Sequence, residues 1–164
     1  MQVSTETIKS LRESTGAGIM DCRKALLDAQ GDMEKASQIL REKGLAVAAK
    51  RSGRATGQGR VEVYIHGEGK IGSMVEANCE TDFVARTQEF RELVHNLALQ
   101  VAATNPRWVS PEEAQGGDPK EDCLLLQPYI RQPDRSVQDL INEVIAKTGE
   151  NIRVRRFARF ELGT

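Results

Sequence analysis

"VEVYIHGEGKIGSMVEANCETDFVARTQEF", residues 61–90, decides the fold, because the period of its apolar residues changes inside it. Val61, Val63 and Ile65 alternate with Glu62, Tyr64 and His66. "GEG" interrupts at 67–69, and then Ile71, Ser73, Val75, Ala77 and Cys79 alternate again. Period-two alternation on both sides of a glycine turn predicts a β-hairpin. After Cys79 come three polar residues. From about Val84 to Ala103 the period is helical, with Phe90, Leu93, Val94, Leu97 and Val101 as the stripe. Thr81 or Asp82 stands where an N-cap belongs. Capping does not account for Phe83. Phenylalanine is scarce, with four in 164 residues, and this one sits beside Asp82 at a strand-to-helix junction. Either it staples back onto the hairpin, or a stiff frame holds an aromatic and a carboxylate outward. Such a pair suits a groove on another protein.

Downstream, "TNPRWVSPEEAQGGDP" (104–119) reads as a loop, and the apolar run Cys123–Ile130 is interrupted by Pro128. Ser136 and Asp139 make a start resembling a capping box. Val137, Leu140, Ile141, Val144 and Ile145 form the next helical stripe, closed by Gly149. Ile152, Val154, Ala158, Phe160 and Leu162 alternate in a last strand. Arg156 falls on the apolar face by parity, which points to a sheet rim or a bulge. The order strand, strand, helix, irregular, helix, strand predicts an α+β domain over 60–164: a three-stranded antiparallel sheet packed with helices.

Upstream, residues 1–45 read as a three-helix bundle. Ser4 or Thr5 caps the first helix, and "TGAG" (15–18) breaks it. Ile19, Cys22, Leu26 and Ala29 mark the second. Asp32 caps the third, with Met33, Ala36, Ile39 and Leu40 as its stripe and Gly44 as its natural stop. So small a bundle has a marginal core and suits a docking module better than an enzyme. Residues 46–59 begin as weak helix and continue as "RSGRATGQG". This basic, glycine-rich stretch reads as a linker.

Composition narrows the function. A net charge of −1 argues against a general polyanion binder. No apolar run approaches 18 residues, so no membrane span is expected, and "MQVSTETIKSL" has no secretory h-region. Three widely spaced cysteines, Cys22, Cys79 and Cys123, fit a reducing, cytoplasmic setting. Neither the cysteines nor His66 and His95 follow metal-ligand spacing, so no metal and no cofactor is expected. "GEGKIG" (67–72) matches G-x-G-x-x-G, but it sits between two strands and reads as a turn. No enzyme constellation is present. In "GAGIMDCRKAL" (16–26), Met20 lies about a quarter turn off the core stripe, beside Asp21. A methionine there either closes the edge of the small core or offers a partner a soft, adaptable contact.

"TGAGIMDCRKALLDAQGDMEKA" (15–36), "LREKG" (40–44) and "NCETDFVART" (78–87) closely resemble the elongation factor Ts family. "LLLQPYIRQPDRSVQDLI" (124–141) and "GENIRVRRFARFELG" (149–163) do so too. The resemblance runs in order over nearly the whole chain. It implies guanine-nucleotide exchange on elongation factor Tu in translation elongation, with no direct nucleic-acid or membrane partner. It implies that the N-terminal module is similar to a ubiquitin-associated domain and docks on the GTPase through Ile19, Met20, Asp21 and Arg23. It also implies that Thr81, Asp82, Phe83 and Val84 form the segment that intrudes beside the nucleotide and helps dislodge Mg²⁺, with Phe83 turned outward. Typical members carry a longer helical insertion between the counterparts of "SPEE" and "LLLQPY". Long members also carry a second copy of the core half. The short form implies a homodimer, for which an uncovered sheet edge is suited. Two other classes compete. One is a nucleic-acid module using Lys50, Arg51, Arg54 and the arginines of 153–159. The other is an interaction scaffold using the bundle alone.

Overall fold

The computed structural model describes residues 3–164. Met1 and Gln2 of the expected docking module lie outside the described residues. Three helices come first: α1 (Thr5–Thr15), α2 (Ile19–Asp28) and α3 (Met33–Arg51). The Ser4 and Asp32 side chains accept hydrogen bonds from the Thr7 and Lys35 amides and so cap α1 and α3. Leu11, Cys22, Ala25, Leu26, Ala29 and Ala36 form a small core of their own.

Helix α3 does not stop at Gly44. It continues to Arg51, so the stretch between regular elements is 52–57 rather than the whole of 46–59. Gly44 is buried mid-helix, and a Cβ built on it lies 3.9 Å from the Ala146 Cβ. The glycine therefore faces a second helix, and this tertiary contact overrides its low helix propensity. Val47 and Ala48, placed by the sequence in the linker, pack against the main core.

The remainder is α+β. Strands β1 (Gln58–His66) and β2 (Ile71–Cys79) form the hairpin, joined through 67–70. Then come α4 (Asp82–Ala85), α5 (Gln88–Thr104) and α6 (Pro119–Asp122). A two-stranded ribbon, β3 (Pro128–Tyr129) and β4 (Gln132–Ser136), leads to α7 (Val137–Thr148) and β5 (Ile152–Glu161). The sheet order is β1-β2-β5, antiparallel throughout. Helices α5 and α7 pack on one face, over a core of Val75, Ala77, Phe90, Leu97, Val101, Ile141 and neighbours.

Three features of the sheet and the first core helix were not settled by the sequence pattern. The helix read as continuous from Val84 is two helices, because Thr87 caps a new start by accepting from the Phe90 amide. In β1 the apolar set faces out: Val61, Val63 and Ile65 are exposed, while Tyr64 packs on the core. The partly buried Tyr64 ring meets His95 of the helix above it edge-on and stacks on His66, with ring centroids 5.9 Å apart in each case. In β5 the register shifts opposite Glu76/Ala77, which confirms the bulge signalled by Arg156. Val154 pairs with Ala77 and Arg156 with Glu76, leaving Arg155 as the extra residue. Parity therefore reverses. Ile152, Val154 and Phe157 face the core, while Phe160 joins Val61, Val63, Ile65 and Met74 on the open face.

Candidate functional site

The chain leaves β2 at Cys79 and must turn into a one-turn helix. Thr81 is the N-cap, with extended backbone, and its Oγ1 accepts from the Val84 amide at 3.4 Å. Val84 is the inward residue, 9% exposed, and with Ala85 it anchors the turn to the core. Phe83 points the other way and is 81% exposed, so it does not staple back onto the hairpin. Asp82 also faces solvent, but its carboxylate is paired with Arg86 one turn on, at 3.1 Å.

A residue distant in sequence holds this turn. Glu150 follows Gly149, whose positive φ of 73° ends α7 in a left-handed cap and redirects the chain. The Glu80 and Thr81 amides donate to Glu150 Oε2 at 3.1 and 3.0 Å, and the Thr81 hydroxyl donates to Oε1 at 2.6 Å. The Thr81 proton is thus committed to Glu150, which leaves an oxygen lone pair for the Val84 amide. Glu80 returns the connection by accepting from the Asn151 amide at 2.7 Å, and Asn151 Nδ2 donates to the Ser52 and Arg54 carbonyls. Nothing in the spacing of the sequence marked Glu150. The visible signal was the glycine stop just before it.

Buried Cys79 donates to the Thr81 carbonyl at 3.1 Å. Burial pushes its thiol pKa up to about 11, with the Glu150 charge adding to the rise. At neutral pH it stays protonated and packs as a small apolar residue. All three cysteines are buried and free, as expected for Cys22 and Cys79. Among the described residues, no group of His, Cys, Asp or Glu is arranged to hold a metal. No helix there is long and apolar enough to cross a membrane.

The second set of residues begins α2. Gly18 caps the helix without a side-chain hydrogen bond. Met20 is 69% exposed and belongs to no core cluster, so it does not close the bundle's edge. Ile19, read from its spacing as part of the stripe, is 55% exposed; as the first helical residue it lies outside the core cluster that Cys22 and Leu26 join. Asp21 is half-buried and ion-paired to Lys43 of α3. Arg23 is exposed. Leu27, which the sequence reading passed over, is 45% exposed and lies seven residues after Met20, on the same side of the helix. The two sets therefore sit on different units, one on the bundle and one on the sheet domain.

The elongation factor Ts family profile matches this chain over residues 4–116 and 80–164. The chain belongs to that family. It is 51% identical to elongation factor Ts of Caldanaerobacter subterraneus subsp. tengcongensis, with 98% of this chain and 97% of the relative covered. It is 52% identical to that of Moorella thermoacetica, over 98% and 96%. It is 50% identical to that of Thermotoga neapolitana, over 99% and 98%. These alignments run over 194 positions against a chain of 164, so the elongation factor Ts relatives carry residues with no counterpart here.

Proposed function

We propose that this chain is a guanine-nucleotide exchange factor for elongation factor Tu, acting in the cytoplasm and catalysing no covalent chemistry. The observation that carries the reading is Phe83: a bulky aromatic, 81% exposed, on a turn pinned by three hydrogen bonds to Glu150. A rigid aromatic held outward on a well-tied turn is the kind of anchor that fills a pocket on a partner.

A GTPase holds GDP tightly because backbone donors and a Mg²⁺ ion hold the phosphates. An exchange factor must bind the nucleotide-free GTPase better than the loaded one, and by linkage nucleotide weakens the factor by the same ratio. Each tenfold in that ratio takes about 1.4 kcal/mol of differential binding. In our reading Met20, with Ile19, Arg23 and Leu27, holds the partner with little state preference. Phe83 and Asp82 enter beside the nucleotide, disturb the Mg²⁺ ligands and supply the discrimination. Asp21 acts indirectly, since Lys43 already engages it. The test is release of a fluorescent GDP analogue from bacterial elongation factor Tu under excess unlabelled GDP. Strong acceleration by the chain is expected. Binding without acceleration would favour the scaffold reading.

We also propose a homodimer, formed through the sheet's face rather than its edge. Val61, Val63, Ile65, Met74 and Phe160 are all about half exposed or more on the uncovered side, and all belong to one three-stranded surface. A second copy presenting the same face would bury them in a two-sheet sandwich. Sedimentation should give twice the monomer mass, and Val63→Asp should shift the species toward monomer. A native chain that stays monomeric at high concentration would contradict this.

A further inference from the structure

We infer that Glu150 is the positioning residue for the Phe83 turn, so that the α7–β5 loop sets the geometry of exchange. The inference rests on the exchange reading above and adds to it a residue that touches neither nucleotide nor Mg²⁺ in that scheme. Four observations carry it. First, one carboxylate satisfies both successive amides at the start of the turn, Glu80 and Thr81, at 3.1 and 3.0 Å. Second, its other oxygen takes the Thr81 hydroxyl proton at 2.6 Å, and that hydroxyl is the helix cap. Third, the contacts are reciprocal across about 70 residues of chain. Glu80 accepts from the Asn151 amide at 2.7 Å, so turn and loop are joined at both ends. Fourth, helix α4 has only four residues and cannot hold its own direction; a helix this short depends on its cap and on packing.

The physical consequence is specific. Val84 anchors the inner side of the turn, while Glu150 holds its entry. Without Glu150, two part-buried amides lose their acceptor and the cap hydroxyl is free to rotate. Val84 still packs, so the chain stays folded, but Phe83 no longer leaves the surface at one fixed angle. A loosely held wedge still lets the factor bind through α2. It discriminates poorly between loaded and empty partner, because part of its contact energy goes into ordering the turn.

The test uses the full-length chain and its variants, each titrated against elongation factor Tu carrying fluorescent GDP. Glu150→Ala is expected to lower the plateau rate of release by about tenfold while leaving the half-saturating concentration within about threefold. Glu150→Gln keeps a carbonyl oxygen for the two amides and should restore most of the plateau. The double variant Glu150→Ala/Phe83→Ala should fall no lower than Phe83→Ala alone, because both changes disable one device. Amide hydrogen exchange gives an independent reading: protection at Glu80 and Thr81 should drop by about tenfold in Glu150→Ala, with α5 unchanged. An unchanged plateau in Glu150→Ala would overturn the proposal, as would a double variant showing the product of the two single losses. If the native chain does not accelerate release at all, the exchange reading fails and the wedge role fails with it. Amide protection then still decides whether Glu150 holds the turn, and unchanged protection would refute that too.

Discussion

The Phe83 turn and the start of α2 both expose a large apolar side chain, but they are built differently. The turn has a side-chain cap, a buried anchor in Val84 and a carboxylate clamp from a distant loop. The start of α2 has a glycine cap with no side-chain hydrogen bond; buried Cys22 anchors its first turn, the Asp21–Lys43 ion pair ties it to α3, and no distant carboxylate clamps its entry. The exposed residues differ in kind as well. Phenylalanine is rigid; methionine is unbranched and polarizable and adapts to its contact. A rigid wedge on a pinned turn suits selection between two states of a partner. A soft contact at a helix start without a side-chain clamp suits holding that partner in both states. The division of labour proposed here follows from this contrast.

The contrast can be broken at either end. The largest effect is expected for Phe83→Ala: a plateau release rate lower by roughly one to two orders of magnitude, read by stopped-flow with saturating factor. The removed ring is exposed, so the variant's melting temperature should barely change. Next is Met20→Ala combined with Leu27→Ala. Truncating two contacts of this kind should raise the half-saturating concentration by about tenfold and leave the plateau intact. Thr81→Ala sharpens the contrast from the stability side. Loss of a helix cap costs about 1 kcal/mol in denaturant unfolding, and the plateau should fall part of the way toward that of Phe83→Ala.

The smallest effect concerns the tie between the two units. Asp139 completes the capping box at Ser136 and pairs with Arg41 of α3. Burial alone would raise its pKa, but the hydrogen bonds from the Ser136 amide and hydroxyl, with the Arg41 guanidinium, outweigh burial and hold it below the ordinary value. A carboxyl depressed in the folded state stabilises above its unfolded pKa, near 3.9, and that contribution is lost as pH falls through the folded value. Asp139→Ala should therefore cost about 1 kcal/mol at pH 7. The gap to the native chain should begin to narrow as pH falls below about 3.9 and close once pH has passed below the depressed folded value. A difference that persists unchanged at pH 3 would place the stabilisation elsewhere.

How much of this was legible in the sequence depended on whether the cause was local. The hairpin, the α5 and α7 stripes and the Ser136 capping box are written in continuous local patterns and were readable, while the cap after β2 was left between Thr81 and Asp82. Outwardness was harder. Met20 was correctly separated from the stripe, but Ile19 was not, because a periodic pattern does not show where a helix overhangs its core. Gly44 looked like a stop because the helix that buries it lies about a hundred residues away. Which face of β1 turns inward was left open by its alternation: Val61, Val63 and Ile65 stand on the more apolar side, yet it is Tyr64 that packs on the core. Glu150 was invisible for the same reason as Gly44: its partners, Glu80 and Thr81, are remote in sequence. The family resemblance carried the site assignment at Thr81–Val84, and the bottom-up reading left Phe83 open between core and solvent until the structure turned it outward.

The central claim is that state discrimination resides in Phe83, with Asp82 beside it, and general affinity in the start of α2. The most direct measurement is the affinity of each variant for elongation factor Tu, both GDP-loaded and nucleotide-free, by titration calorimetry. A large ratio between the two affinities is expected for the native chain. The same ratio is expected for Met20→Ala, with both affinities weakened, and a much smaller one for Phe83→Ala, where only Asp82 remains to discriminate. Equal ratios in all three proteins, with Phe83→Ala merely binding more weakly in both states, would contradict it.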